Sequence, residues 1–273
     1  MMRIALCNEV VATLPFHAQA KLAASLGYAG LEVAPFTLDA EAPHLLPASR
    51  RAELRRIAEG EGAPITSLHW LLVAPAGLSI TTADAAIRAR TLDAVERLIG
   101  LAADLGATLL VHGSPRQRQV AGHGDAERAE EAMAKAGALA AQHGLTYCLE
   151  PLDAGQTNWA TTVAEAIEIV ARIASPGLKT MLDVSAAGNG EAEPAETLLR
   201  RFVPTGWIAH VHLNDRNRRG PGQGTDRFAP VLRALKDTHY TGFCAVEPFD
   251  YHPDGATSAA RAIGYLSGIL ETL

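Results

Sequence analysis

Eight times along the chain a short apolar run gives way to a polar or Gly/Pro loop and then to a longer amphipathic stretch rich in Ala and Leu. Short apolar runs bounded by turn residues read as buried strands, which predicts strands at 3–7, 29–33, 64–69, 107–112, 145–150, 178–183, 207–213 and 242–247. Helices are expected at 16–26, 48–60, 83–104, 125–143, 161–174, 193–203, 226–237 and 256–271. Thr161 or Thr162 suits an N-cap, and Gly27, Gly106 and Gly144 suit left-handed C-caps. Alternating strands and helices make a parallel sheet, and eight repeats close it. The expected fold class is therefore α/β: a (β/α)8 TIM barrel, single domain, over residues 1–273. That length is ordinary for one such barrel. An open doubly wound sheet would put a Gly-rich phosphate loop after the first strand, and CNEVVATLP is not one.

Composition narrows the function. Hydrophobic residues make up 48% of the chain, enough for a large core. No run approaches the ~20 apolar residues a bilayer crossing needs, so no membrane association is expected. MMRIALCNEV leads straight into a strand pattern and reads as having no secretory signal. The three cysteines, Cys7, Cys148 and Cys244, are odd in number and sit in apolar runs, as expected of buried reduced thiols in a cytoplasmic protein. A net charge of −6 argues against nucleic acid as partner, because phosphate backbones are bound by basic faces.

In a barrel, chemistry sits where the strands end, at the C-terminal mouth. Here those ends carry Glu32, His69, His112, Glu150, Asp183, His210, His212 and Glu247. A carboxylate closing an apolar run such as LTYCLE or GFCAVE is unfavourable to bury unless it is paired or bound to a cation. Three carboxylates with one imidazole suit a hard divalent ion, Mn2+, Mg2+ or Co2+. The competing reading makes Glu150 and Glu247 ion-pair struts for arginines such as Arg116, Arg118 or Arg218. Segment 113–124, GSPRQRQVAGHG, is either a lid over the mouth or a solvated loop. Trp70 and Trp159 are either apolar walls of a pocket or residues of the core or of a dimer contact.

The strings LEPLD at 149–153, MLDVS at 181–185, HVHLNDRNRRGPGQGTD at 210–226 and VEPF at 246–249 resemble the xylose-isomerase-like TIM-barrel superfamily, and within it most closely the ketose 3-epimerases. The resemblance implies that Glu150, Asp183, His212 and Glu247 ligate one divalent metal ion, with Mn2+ first among candidates and no organic cofactor. His212 rather than His210 matches the ligand, because the family's substrate-contacting arginine, here Arg218, follows it by six positions. Glu150 and Glu247 would be the acid–base pair on opposite faces of a ketose or keto-sugar derivative, working through a cis-enediolate. Arg218, His69, His112, Gln156, His210, Glu32 and Trp70 are the expected substrate contacts. Two positions depart from the epimerase pattern: Gln156 stands for a glutamate and Ala186 for a histidine.

Three further readings share this scaffold. The same enediolate would serve a lyase or dehydratase acting on a keto-sugar, keto-glycoside or keto-cyclitol. An endonuclease IV-like repair enzyme would add His69 and His112 to a multi-metal site, although Ala186 and Phe228 stand where its further ligands belong. A metal-dependent sugar-binding module would not need glutamates flanking the substrate. The resemblance also implies a cytoplasmic homo-oligomer, dimer or tetramer.

Overall fold

The computed structural model describes residues 2–273. Its elements follow the chain as β1 (Arg3–Cys7), α1 (Phe16–Leu26), β2 (Leu31–Val33), α2 (Ala48–Gly60), β3 (Ile65–Leu68), α3 (Ala85–Leu105), β4 (Leu109–His112), α4 (Asp125–Gln142), β5 (Thr146–Leu149), α5 (Val163–Ile173), β6 (Leu178–Asp183), α6 (Val184–Gly190), α7 (Ala195–Phe202), β7 (Ile208–Leu213), α8 (Phe228–Asp237), β8 (Phe243–Val246) and α9 (Gly255–Leu270). The strands pair in chain order, all parallel, and β8 closes on β1 with Arg3 opposite Phe243 and Leu6 opposite Val246. The barrel expected from the sequence is therefore the fold.

Local chemistry sets the element ends. Thr162 Oγ1 accepts the amide of Glu165 at 3.1 Å and starts α5, so the cap is Thr162 rather than Thr161. Gly27 and Gly106 end α1 and α3 with φ of 90° and 81°, the region that penalises a Cβ. One element has no counterpart in the sequence reading. The small, glycine-containing segment after β6 coils into α6, nucleated by Asp183 Oδ1 accepting the amide of Ala186 at 2.6 Å.

A layer of apolar side chains lies between strands and helices, and a smaller cluster of Leu109, Val111, Cys148 and Met181 forms separately from it. Strand side chains alternate, so His210 and His212 share one face of β7 while Val211 takes the other. All three cysteines are buried and unpaired. Among the described residues no helix is long and apolar enough to cross a membrane.

Candidate metal centre and active site

Parallel strands bring their C-terminal ends to one mouth, and four of the expected residues meet there. Glu150 follows β5, Asp183 ends β6, His212 lies near the end of β7 and Glu247 follows β8. One ligand atom from each lies within 4.8 Å of all the others. His212 Nδ1 is the hub, 3.2 Å from Glu150 Oε1, 2.9 Å from Glu247 Oε2 and 3.8 Å from Asp183 Oδ2. All four residues are buried.

Electrostatics show what this crowding requires. Burial, with the charges of Glu150 and Glu247, pushes Asp183 up to about 8. Burial would raise Glu247 as well, but His212 and His69 hold it down to about 2. His212 is pushed well above the usual imidazole range: burial opposes its charge, and Glu247 and Glu32 override burial. Three carboxylates around one imidazole repel each other unless a cation lies among them, and that donor set suits a hard divalent ion. The backbone makes room for one ligand. A Cβ on Gly113 would fall 1.7 Å from Glu150 Oε2, so only glycine lets that carboxylate occupy its place.

The four clustered side chains are held from behind. His212 Nε2 sits 2.6 Å from Glu32 Oε1, which fixes the ring with Nδ1 toward the cluster. Glu32 also accepts from Ser67 Oγ and has His210 Nε2 at 2.8 Å, a close contact without hydrogen-bond alignment. Asn214, absent from the sequence reading, donates to Asp183 Oδ2 at 2.7 Å and to the Glu247 carbonyl at 3.1 Å. Glu247 Oε1 receives both Trp70 Nε1 at 2.9 Å and His69 Nδ1 at 3.0 Å. On its other side His69 meets Glu9 Oε2 at 3.0 Å, a second residue the sequence reading did not single out.

Several of the expected substrate contacts lie away from the cavity at the mouth. Glu32, His69, His112 and His210 are all wholly or almost wholly buried and line no part of the cavity at the mouth. Glu32 and His210 lie behind His212, and His69 braces Glu247. His112 bonds Tyr147 Oη through Nδ1 at 2.8 Å, and burial with the nearby Arg118 charge drives it down to about 3, so the ring is neutral. Among the described residues no ligand cluster unites His69 with His112, the pair a second metal would need. The ion-pair reading fails too: among the described residues Glu150 and Glu247 pair with histidines, not with arginines.

The cavity, about 250 Å3, is lined at its base by Glu150, Asp183 and Glu247. Trp70, Pro115, Leu152 and Phe249 form apolar walls; Gln156, Ser185 and Arg218 are among the polar ones. Of the expected contacts, Trp70, Gln156 and Arg218 thus reach it. Gln156 Nε2 is tied to Asp153 Oδ2 at 2.6 Å. Arg218 stacks over Phe249, its guanidinium carbon 5.0 Å from the ring centre. Both Trp70 (φ 52°) and Arg218 (φ 70°) hold left-handed backbone, a strain that clusters at functional sites. Trp159 is a core residue instead. Segment 113–124 is not a free flap: Gln117, Gln119 and Val120 bond Ile80, Gln156 and Asn158 on its two sides.

Fold and cluster together define an α/β-barrel protein whose mouth is built from carboxylates and an imidazole. The chain belongs to the xylose isomerase-like TIM barrel family, whose model matches residues 20–268. It is 27% identical over 203 residues to a D-psicose 3-epimerase of Ruminiclostridium cellulolyticum, covering 72% of this chain and 67% of that one. Among solved structures it superposes on a D-psicose 3-epimerase determined in the presence of D-fructose, with a TM-score of 0.82 at 20% identity over 98% of this chain and 99% of that one. A 3-keto-D-glucoside 4-epimerase from E. coli gives the same TM-score and identity over 98% and 100%. At that identity the structural likeness carries the fold alone. The curated relative is an isomerase-class enzyme, the class expected from the sequence.

Proposed function

We propose that the protein is a divalent-metal-dependent sugar epimerase or isomerase acting through an enediolate on a ketose or keto-sugar derivative. The observation that carries this reading is the convergence of Glu150 and Glu247, from strands three apart in the barrel, on one ligand cluster at the cavity base. Glu150, Asp183, His212 and Glu247 would hold the ion, Mn2+ first by donor chemistry and by resemblance. When bound, the ion supplies Lewis-acid polarisation of the substrate's carbonyl and neighbouring hydroxyl, which makes the α-proton more acidic.

The chain's own groups do the rest. One glutamate takes the α-proton and the other returns one to the opposite face, giving epimerisation; return by the same base to the neighbouring carbon gives isomerisation. Glu247 Oε1 is pinned by Trp70 and His69, which leaves Oε2 toward the cluster. Trp70, Leu152 and Phe249 exclude water from the sugar's apolar face, while Arg218, Gln156 and Ser185 offer hydrogen bonds to its hydroxyls. A dimer or tetramer in the cytoplasm belongs to the same reading, and light scattering on the purified chain measures its mass.

The test is solvent exchange. Incubation with ketoses such as D-psicose and D-fructose in D2O with Mn2+ is expected to place deuterium on the carbon next to the carbonyl. Loss of water or of an aglycone instead identifies a lyase, and binding without exchange on any candidate identifies a sugar-binding module.

A further inference from the structure

The largest side chain sealed from solvent in this protein is a cation. Arg118 is 0% exposed and ends the turn Pro115–Arg118 that follows β4. Among the described residues no carboxylate lies within ion-pair distance of it. Its Nη1 donates to the carbonyl of Glu150 at 2.6 Å and lies 3.5 Å from the carbonyl of His112, while Nε and Nη2 have no partner. A buried guanidinium with unmet donors is destabilising, and such groups persist where function requires them.

Its place explains the requirement. The Glu150 amide reaches the His112 carbonyl over a long 3.3 Å, one residue past the last β4–β5 pair, His112 and Leu149. Arg118 Nη1 bridges the two carbonyls at that point. Gly113, between β4 and that turn, lies against the Glu150 carboxylate, and Pro115 of the turn lines the cavity wall.

We propose that Arg118 is a positioning residue: through the Glu150 carbonyl it fixes where that carboxylate meets the metal ion and the substrate. The inference rests on the metal-centre reading above. It does not depend on which sugar is bound.

The test uses metal-free full-length protein, Mn2+ alone as titrant, and calorimetry beside steady-state kinetics. In Arg118→Met the Mn2+ dissociation constant is expected to rise about tenfold or more, as when an outer partner of a ligand is removed. Arg118→Lys keeps the buried charge and a donor nitrogen, so it is the variant that folds if Met does not. Its Mn2+ affinity is expected within about threefold of wild type, with kcat lowered about tenfold at unchanged KM. Either variant, folded by circular dichroism, with both Mn2+ affinity and kcat within about twofold of wild type overturns the proposal. Wild-type protein that binds no Mn2+ overturns the metal-centre reading, and this proposal with it.

Discussion

His212 Nε2 lies 2.6 Å from Glu32 Oε1, with neither side chain exposed to solvent. A carboxylate behind a ligating imidazole fixes its tautomer and aims the opposite nitrogen, here Nδ1. Glu32→Gln weakens that hold without emptying the space. Mn2+ affinity measured by calorimetry is expected to drop about 10- to 100-fold. Unchanged affinity would show that His212 is oriented by packing alone.

Gly113 gives a steric test. Its φ lies outside the left-handed region, so alanine fits the backbone. The added methyl, however, would land 1.7 Å from Glu150 Oε2. Gly113→Ala is expected to fold with a loss of about 1–3 kcal/mol from overpacking. It should lose Mn2+ affinity by about 100-fold, because a ligand is displaced rather than loosened. A small stability loss with full Mn2+ binding would contradict the placement of Glu150.

Trp70 is both a wall and a donor. Its Nε1 reaches Glu247 Oε1 at 2.9 Å, and Trp70→Phe removes that donor while keeping an aromatic face. Hydrogen bonds to charged groups contribute about 1.5–3 kcal/mol, so a fall in kcat of about tenfold or more is expected. Steady-state kinetics separate this from a wall effect, which would appear in KM.

Asp183 makes metal binding pH-dependent. Burial and the neighbouring Glu150 and Glu247 charges hold it near 8 in the metal-free protein, so at pH 7 it carries a proton. A bound cation favours the carboxylate and needs a neutral His212, whose proton is held well above the usual imidazole range, so Mn2+ binding at pH 7 should release more than one proton, from Asp183 and His212 together. The sign follows: apparent Mn2+ affinity rises with pH through about 8, where Asp183 titrates, and levels off only once His212 has also lost its proton. Calorimetry in buffers of different ionisation enthalpy counts the protons; no release at pH 7 would contradict the crowded-carboxylate picture.

Much of this was legible in the sequence because barrel strands are apolar runs that stop at a polar residue. β1, α1, α2 and β6 have the expected bounds, and most other ends shift by one or two residues. Helix α6 escaped because VSAAGNG lacks an amphipathic period; its cap on Asp183 is a contact between side chain and backbone. At the site, the types at the strand ends were readable, but their roles were not. Glu32, His69 and His210 look like pocket residues in one dimension, yet they lie behind the ligands, because which side chain covers another depends on register and tilt across the barrel. Arg118, six residues past β4, was legible as a cation but was read as an ion-pair partner; Glu9 and Asn214 sit just past strands β1 and β7. Extending the strand-end search by a turn would have raised them as candidates, although their partners are visible only in three dimensions.

The two-glutamate mechanism is tested most directly by deuterium incorporation from D2O into a ketose that wild-type protein turns over, at saturating Mn2+, in Glu150→Gln and Glu247→Gln. Exchange is expected in wild-type protein, abolished by chelation, and lost in both variants. Full exchange in either variant, or in wild-type protein stripped of metal, would contradict it.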